Sequence, residues 1–377
     1  MRIAVNTRLL VPKKMDGIGR FSYESLFRIS EQHPEVEFDF IFDRKPPSEF
    51  SFPKNVSLHA VGIAARHPIL WYLWFEQSLR QFVNRGNYDL FLSPEGWIPP
   101  KLNCPSLGVI HDLNFVHHPE NIIYSHRKYL AHFFPKYAQR ADRIATVSEF
   151  SKEDIHQVYG IEQDKIDVVY NGANNIFTSL SSKKKQETLD AYTNGKPYFI
   201  FIGTLHPRKN LEHLFKAFDA FKQNDEKQTK LLIVGNRKWW PTELDKVYKS
   251  MRFAKEVDFL GRKSDQELAE LLAAATALTY LPYFEGFGIP ILEAFQSETA
   301  VITSNCSSMP EVAQDAALLC DPRNVQEIST AMQQISKDDE LRNQLIEKGK
   351  ERAKYFSWDK TAELLWKSME QTLSHAS

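Results

Sequence analysis

Cysteine is scarce in this sequence, since Cys104, Cys306 and Cys320 are the only thiols among its 377 residues. An odd number of cysteines at wide, irregular spacing fits neither a disulfide framework nor a zinc site. Such sparse usage is typical of proteins in a reducing compartment. We therefore expect no disulfide and no structural metal centre.

Excess charge and long apolar runs are also lacking. The 47 basic and 48 acidic side chains leave a formal net charge of -1, so nothing in the global charge attracts nucleic acid. The longest apolar stretches, 69–75 and 271–284, are too short or too interrupted to span a bilayer. The first residues form a strand-like run without a signal-peptide core. We expect a cytoplasmic protein that can touch a membrane only from its surface.

Short apolar runs that alternate with helical patterns are abundant along the chain. This alternation predicts α/β architecture with doubly wound parallel sheets, and 377 residues suggest two domains. A helical pattern covers 70–85, and Ser264 is expected to cap a helix over 265–274. The segment 179–195 turns polar, so we expect mainly a connection between domains, of which the part around Leu189 and Tyr192 can form a short helix. The strand pattern restarts at Tyr198. We therefore expect Rossmann-like domains over 1–185 and 190–357, followed by a last helical segment, 358–377.

Ligands of such sheets lie beyond the carboxyl ends of the strands, so strand-to-helix junctions are the places to search for function. The segment 281–293 is one such junction. Gly286 and Gly288 allow close backbone approach, and the helix that follows offers unpaired N–H groups to a pyrophosphate. Glu285 and Glu293 can accept hydrogen bonds from sugar or ribose hydroxyls. The alternative is that Glu293 only complements the helix dipole and Glu285 is a surface residue.

Two further junctions carry weaker signals. Arg208 and Lys209 follow another strand and suit phosphate binding, or form a solvated surface pair. Gly17 and Gly19 open the first helix, but no third glycine completes the dinucleotide-binding fingerprint. His111 stands at a strand end, where a lone histidine is often a hydrogen-bonded structural residue.

Together these segments resemble the family 4 retaining glycosyltransferases of the GT-B fold. The resemblance is carried by FEGFGIPILEA with its Glu285/Glu293 pair, FIGTLHPRKN, DGIGR, VIHD, ATVSEFSK and NCSSMPE, and it extends from about residue 3 to about residue 370. It implies two facing Rossmann-like domains with a cleft between them. It also implies that the last helix, 358–377, packs back on the N-terminal, acceptor-binding domain, while 190–357 binds the donor.

The resemblance also implies a role for each matching residue. Glu285 would bind hydroxyls of the donor sugar, near the backbone N–H groups of Gly286, Phe287 and Gly288. Glu293 would accept hydrogen bonds from the ribose, and Arg208 and Lys209 would hold the diphosphate as the sugar leaves. The remaining implied contacts are Gly17 and Gly19 beside phosphates or acceptor, His111 beside the sugar ring, and Arg262 near the base.

The implied reaction moves a hexose from a nucleoside-diphosphate sugar to a glycan or lipid-linked acceptor, with retention. Many transferases that handle diphosphates bind a metal through an Asp-x-Asp pair, but the sequence contains none. We therefore expect neither metal nor cofactor, with Arg208 and Lys209 in place of the metal. GDP-mannose is the first choice of donor, because the segments HDL and GTLHPRKN resemble bacterial mannosyltransferases of polysaccharide assembly, and a UDP-hexose is nearly as well supported.

Three other functions remain open at this stage. A nucleotide-sugar epimerase of the same fold would interconvert the donor sugar without transfer. A hydride-transferring Rossmann enzyme is disfavoured by the incomplete glycine fingerprint, although Glu37 and Asp39 stand near the position of its acidic residue. A non-catalytic sugar-nucleotide-binding protein would not need all of Glu285, Glu293, Arg208 and Lys209.

The segment 114–143 combines many aromatic side chains with many cations. Such a segment can lie on an anionic membrane or contact a lipid-linked acceptor. Tyr129, Phe133, Tyr137 and Ala141 nevertheless fall at helical spacing, which favours an aromatic stripe packed on the sheet with the cations in water. Both interpretations stay open from the sequence.

Overall fold

The computed structural model describes residues 1–12, 15, 17–236 and 240–375. Asp16 of the DGIGR motif lies outside these described residues. The chain divides into two compact units, Met1–Gly172 with Ser357–Ser377, and Ala173–Phe356. The sequence placed the domain boundary between residues 185 and 190, whereas the structure divides the chain after Gly172. The helix that covers residue 185 contacts the second unit, since Lys184 Nζ lies 3.4 Å from a carboxylate oxygen of Glu270.

The first unit is built on a parallel sheet with strand order β3-β2-β1-β4-β5-β6-β7 across its described residues. Its strands are β1 (Arg2–Asn6), β2 (Glu37–Phe42), β3 (Val56–Ala60), β4 (Leu90–Ser93), β5 (Ser106–Ile110), β6 (Arg143–Thr146) and β7 (Ile166–Val168). Its helices are α1 (Gly17–Gln32), α2 (Pro68–Leu73), α3 (Arg80–Arg85), α4 (Asn114–His117), α5 (Tyr124–Arg140) and α6 (Glu149–Tyr159). Strands β4, β5 and β6 are buried on both faces, as expected for a parallel sheet covered by helices.

The second unit contains another parallel sheet, with strand order β10-β9-β8-β11-β12-β13. Its strands are β8 (Tyr198–Ile202), β9 (Lys230–Val234), β10 (Val257–Gly261), β11 (Ala277–Tyr280), β12 (Ala300–Ser304) and β13 (Leu318–Cys320). Its helices are α7 (Ser182–Thr193), α8 (Leu211–Lys222), α9 (Thr242–Ser250), α10 (Asp265–Ala273), α11 (Ile289–Gln296), α12 (Met309–Ala313), α13 (Val325–Lys337) and α14 (Asp339–Ala353).

The last helix, α15 (Trp358–His375), belongs to the first unit. It packs along α1, where the Arg28 guanidinium donates to Asp359 over 2.7 Å. The His33 ring stacks on Trp366 with ring centroids 3.6 Å apart. The chain therefore returns to its first sheet after completing the second.

Two local expectations from the sequence differ from the structure. The polar segment 179–195 was expected to be mainly a connection, yet it contains the full helix α7, which Ser181 caps by accepting from the Lys184 backbone N–H. A single helix expected over 70–85 begins earlier at Pro68 and is interrupted by a π-helical turn, Trp74–Leu79. The polar composition of α7 gives no apolar period that would predict a helix. Hydrophobic spacing cannot distinguish an α-helical turn from a π-helical one. The predicted cap Ser264 is confirmed, and it forms a capping box with Glu267.

No helix within the described ranges is long and apolar enough to cross a membrane.

A buried carboxylate joins three parts of the first sheet. Asp39 on β2 is 4% exposed and accepts hydrogen bonds from Tyr88 Oη at 2.8 Å and Arg2 Nη2 at 2.6 Å. His59 Nε2 on β3 lies 2.7 Å from its other oxygen. Burial acts to raise the pKa of Asp39, but the bonds from Tyr88 and His59 and the Arg2 charge lower it further, so this pKa lies below its usual range.

This network predicts a loss of stability in acid. A lowered folded-state pKa stabilises the protein above the unfolded-state pKa of about 3.9, and the stabilisation is lost as pH falls through the folded-state value. We expect Asp39→Asn to lower the free energy of unfolding by about 2 kcal/mol near neutral pH, because charged hydrogen bonds are removed. The difference from wild type should narrow below about pH 4. Urea unfolding across this range measures it, and the exposed Glu49→Gln is the control; a difference independent of pH would contradict the assignment.

Candidate functional site

The candidate site of the second unit lies where two neighbouring strands end. Strands β8 and β11 pair in parallel, with Ala277 opposite Phe199 and Leu278 opposite Ile200. Because the carboxyl ends of parallel strands share one edge, the loops that follow β8 and β11 meet there. These loops carry Arg208 with Lys209 and Glu285, respectively. The junctions that the sequence singled out separately are thus one place in the fold.

The loop after β8 presents its two cations from a short 3₁₀ turn, Pro207–Lys209. His206 caps this turn by accepting from the Arg208 backbone N–H. Asn210 then adopts a left-handed conformation with φ of 60° and caps α8 with its side chain. Caps on both sides hold the cation pair in a defined backbone position.

Arg208 and Lys209 both contact the carboxylate of Glu285. Arg208 Nη1 donates to Glu285 Oε1 and also to the Phe284 carbonyl at 3.2 Å. Lys209 Nζ forms an ion pair with the same Glu285 oxygen and donates to Tyr280 Oη at 2.5 Å. The side chains of Lys209 and Glu285 are 9% and 10% exposed, and that of Arg208 is 22% exposed. A guanidinium, an ammonium and a carboxylate thus meet at one point of the site.

The loop after β11 is held by hydroxyl groups and by the loop after β8. Ser308 Oγ donates to the Glu285 carbonyl at 2.8 Å, and Ser304 Oγ donates to the Pro282 carbonyl at 2.6 Å. The Tyr283 backbone N–H donates to the Arg208 carbonyl at 2.8 Å. The two junctions are therefore joined through main chain as well as through side chains.

Glycine and an apolar contact place the helix that follows. Gly288 has a φ of 96° and forms the N-cap of α11, and a Cβ there would lie 2.7 Å from Met309 Cε. Phe287, 3% exposed, fixes the loop by packing its ring edge-on to Phe356 at 5.6 Å. The N-terminus of α11 consequently opens beside Gly286 and Glu285, where its N–H groups favour an anion.

Glu293 lies on α11 and is 8% exposed. The carboxylates Glu285 and Glu293 belong to the same strand-loop-helix junction, one on the loop and one on the helix. A carboxylate has several acceptor positions, so it can accept hydrogen bonds from hydroxyl groups of a ligand. The ribose role of Glu293 stays a prediction.

The residues predicted in the first unit occupy the corresponding edge of its sheet. His111 directly follows β5, and its Nε2 lies 2.8 Å from the Pro94 carbonyl. Its ring also packs edge-on against Phe21 of α1, with centroids 4.9 Å apart. Histidine at this point thus has a structural role beside any contact with substrate.

The two glycines of the first helix differ in their surroundings. Gly17 is exposed at the start of α1, whereas Gly19 is buried. A Cβ on Gly19 would lie 3.1 Å from the Leu9 carbonyl oxygen, so glycine allows the helix to approach the chain after β1. Their contact with phosphates or acceptor stays a prediction.

Among the residues predicted in the second unit, Arg262 follows a strand that is not adjacent to β8 or β11. It is exposed and follows β10, the edge strand, which β9 separates from β8. Its predicted role near the base is untested by this placement.

The sequence did not identify several residues that hold the loops at the carboxyl edges of the two sheets. Tyr280, the last residue of β11, is fully buried and binds Lys209, while Ser308 holds the Glu285 main chain. Their positions could have identified them, because Tyr280 ends the strand before the junction 281–293 and Ser308 lies within NCSSMPE. In the first unit, Arg8 donates to both carboxylate oxygens of Glu95 after β4, the Nε bond measuring 3.0 Å. This pair is nearly buried at 9% exposure for each residue.

Within the described part of the chain, no group of three or more His, Cys, Asp or Glu side chains is arranged to hold a metal ion.

Comparisons with known proteins cover almost the whole chain. The family model described as Glycosyltransferase Family 4 matches residues 16–175, and the one described as Glycosyl transferases group 1 matches residues 183–352. The chain is 28% identical to O-antigen chain mannosyltransferase B of Escherichia coli over 357 residues, which cover 92% of this chain and 93% of the relative. It is also 28% identical to the O-antigen chain mannosyltransferase RfbU of Salmonella typhimurium, over 74% of each chain.

The fold has close counterparts among solved structures. Sucrose-phosphate synthase from Thermosynechococcus elongatus superposes with a TM-score of 0.77 at 18% identity, and the alignment covers 100% of both chains. A likeness at this identity concerns the fold, and it agrees with two Rossmann-like parallel sheets in the GT-B arrangement of domains along the chain.

Proposed function

Because this chain belongs to the family 4 glycosyltransferases and has the GT-B fold, we propose that it transfers a hexose from a nucleoside-diphosphate sugar to a glycan or lipid-linked acceptor. Mannose is the proposed sugar, and the O-antigen mannosyltransferases among the relatives support it. GDP is the proposed carrier. The observation that carries the proposal is the convergence of Arg208 and Lys209 on Glu285 beside the N-terminus of α11.

Arg208 and Lys209 are proposed to hold the diphosphate. Both cations lie on one oxygen of Glu285, and a guanidinium and an ammonium can each donate hydrogen bonds to phosphate oxygens. Departure of the sugar builds negative charge on the phosphate oxygens. Preorganised donors aimed at such charge stabilise a transition state by about 3–4 kcal/mol each. The partial burial of the cluster strengthens this effect, because less water screens it.

Glu285 and Glu293 are proposed to bind the two ends of the donor. Glu285 contacts both cations proposed to hold the diphosphate, which supports the proposal that it accepts hydrogen bonds from sugar hydroxyls next to that group. Glu293 would accept from the ribose hydroxyls. A covalent glycosidase-like pair is not proposed, because retaining hydrolases place their carboxyls about 5–5.5 Å apart across one bond, whereas Glu285 and Glu293 are proposed to contact different parts of a long donor.

We propose that the reaction retains the anomeric configuration by a front-side displacement. The acceptor hydroxyl oxygen forms a bond to the anomeric carbon as the bond from that carbon to the phosphate oxygen breaks. The hydroxyl proton passes to an oxygen of the departing phosphate. This path requires no protein nucleophile, which agrees with a Glu285 carboxylate already engaged by Arg208 and Lys209.

The acceptor is proposed to bind at the carboxyl edge of the first sheet. His111, Gly17 and Gly19 lie at or beside this edge, and ligands of parallel sheets bind there. His111 is proposed to contact sugar or acceptor. General-base action is not assigned to it, since base chemistry of the inverting type would not give retention.

A thermal-shift panel of GDP, UDP, ADP and their sugars tests the proposal. A ligand at about 100 times its dissociation constant stabilises a protein by about 2.7 kcal/mol, which raises the melting temperature by about 5 °C. We expect GDP and GDP-mannose to stabilise the chain selectively. Selective stabilisation by UDP would reassign the base, and indifference to all these nucleotides would refute the enzymatic proposal. The anomeric configuration of the product, read by NMR, then tests retention.

Glu293→Gln is expected to weaken nucleotide binding about 10-fold. The substitution keeps the size of the side chain but replaces a charged hydrogen-bond acceptor, and such bonds contribute about 1.5–3 kcal/mol. Titration calorimetry with GDP measures the change. Glu298→Gln, two residues beyond α11, is the control because its carboxylate faces Lys350 at 3.8 Å. Unchanged affinity in Glu293→Gln would remove the ribose assignment.

A further inference from the structure

The first unit exposes large apolar side chains on two neighbouring helices. On α2, Ile69 is 65% exposed and Tyr72 is 42% exposed. At the start of α5, Ile123 is 56% exposed and Tyr124 is 66% exposed. We call these four residues, with the cations beside them, the α2–α5 surface. Most of the other aromatic side chains of α5 are buried, which confirms the predicted aromatic stripe for Tyr129 and Tyr137. The N-terminal end of α5, with Ile123 and Tyr124, stays exposed to solvent.

Side-chain contacts make this surface continuous. The ring of Trp71 on α2 lies 4.6 Å from that of His126 on α5, and the ring of Tyr72 lies 5.6 Å from that of Phe133. The two helices therefore lie side by side. Ile69 and Tyr72 are three residues apart and share one face of α2, while Ile123 and Tyr124 stand within one turn of His126.

The segments that carry these apolar residues contain cations but no carboxylates. No Asp or Glu occurs in the segments 62–75 and 121–141, although the whole chain is nearly neutral. The exposed cations of these segments are Arg66, Arg127, Lys128 and Lys136. Within the ranges that the structure describes, none of the four forms an ion pair with a carboxylate of the protein.

The cations lie against aromatic rings rather than apart from them. Lys128 Nζ is 4.7 Å from the ring centroid of Tyr124, and Lys136 Nζ is 5.5 Å from that of Phe133. Aromatic and aliphatic groups with cations alongside match the boundary of an anionic bilayer, where rings enter the headgroup region and cations meet lipid phosphates. A protein partner is a poorer match, since lysine is depleted in protein–protein interfaces.

We propose that the α2–α5 surface docks this enzyme on an anionic lipid bilayer. Ile69, Tyr72, Ile123 and Tyr124 enter the headgroup region, and Arg127, Lys128 and their neighbours bind the lipid phosphates. This inference concerns a surface of the first unit, whereas the cation cluster belongs to the second, and it does not depend on which sugar is transferred. It would keep the first unit, where the acceptor is proposed to bind, at the membrane surface.

Vesicle sedimentation of the full chain, without nucleotide or acceptor, tests the proposal. We expect binding to vesicles of phosphatidylcholine mixed with phosphatidylglycerol, little binding to phosphatidylcholine alone, and release by added salt. The pair Arg127→Gln with Lys128→Gln should lower the partition constant about 25-fold, because each cation near an anionic surface contributes about a 5-fold factor. The pair Ile69→Ser with Tyr124→Ser should lower it by at least about 10-fold.

Two variants in the second unit are matched controls. Tyr355 is 65% exposed, almost the same as Tyr124, and Lys183 is an exposed cation on α7. Tyr355→Ser and Lys183→Gln should leave vesicle binding unchanged, and circular dichroism should show every variant folded. The proposal is overturned if the wild type binds neither vesicle or both equally, or if the control variants lose binding as much. It is equally overturned if the α2–α5 variants change only the oligomeric state measured by ultracentrifugation.

Discussion

Replacing Arg208 with glutamine is expected to lower kcat by about 10²- to 10³-fold, the usual cost of removing one preorganised donor from a developing negative charge. The guanidinium lies on the Glu285 carboxylate and the Phe284 carbonyl, within the cluster proposed to receive the diphosphate. Its effect should fall mainly on kcat, because the phosphate charge grows as the sugar leaves. Steady-state transfer of radiolabelled mannose from GDP-mannose measures it.

Arg342→Gln is the matched control for this substitution. The Arg342 side chain is 24% exposed, close to the 22% of Arg208, and it donates to the Ile335 carbonyl far along the chain from the motif. We expect its kcat to stay near wild type. A comparable loss in both variants would show that Arg208 acts through folding rather than on the phosphate.

In the same assay, EDTA should leave wild-type activity intact, because the cation pair is proposed to replace a metal. Loss of activity in EDTA would refute metal independence.

Glu285→Gln is expected to separate catalysis from nucleotide binding. The carboxylate is proposed to bind sugar hydroxyls and to position Arg208 and Lys209, and each charged hydrogen bond of this kind contributes about 1.5–3 kcal/mol. We expect kcat to fall about 100-fold. Affinity for GDP should be unchanged or higher, because the substitution removes a negative charge that shares both cations with the phosphates.

Calorimetry with GDP and steady-state kinetics together decide the role of Glu285. Glu298→Gln again serves as the control and should change neither quantity. A Glu285→Gln variant that loses GDP affinity while keeping kcat would place the carboxylate at the nucleoside instead of the sugar. Melting curves check that the variant is folded. We expect that it is, because Tyr280 Oη still accepts from Lys209 and the Phe284 carbonyl still accepts from Arg208.

The helices and strands of the second unit follow from local signals that sequence can carry. Ser264 is predicted as a cap and forms a capping box, and the glycines of 286–288 predict the turn into α11. Segments without such signals were predicted incompletely. The helix α7 has a polar composition, and the π-helical turn Trp74–Leu79 has the same apolar spacing as an α-helix.

The candidate site depended on both kinds of information. The residue types and their positions after strands identified Arg208, Lys209, Glu285 and Glu293, because each type has its own chemistry toward phosphates and hydroxyls. The sequence could not assign Tyr280 to Lys209, since the two stand 71 positions apart and pair only through the adjacency of β8 and β11.

By itself, the sequence determined the α/β class, the strand-to-helix junctions and the chemistry of the residues at them, because these depend on local periodicity and residue type. Only the tertiary structure decided that two separate junctions form one cluster, that Glu285 receives both cations, and that Ile69 and Tyr124 remain exposed on adjacent helices. Strand order and helix packing set those outcomes. They depend on contacts between residues distant in the chain, which no local pattern records.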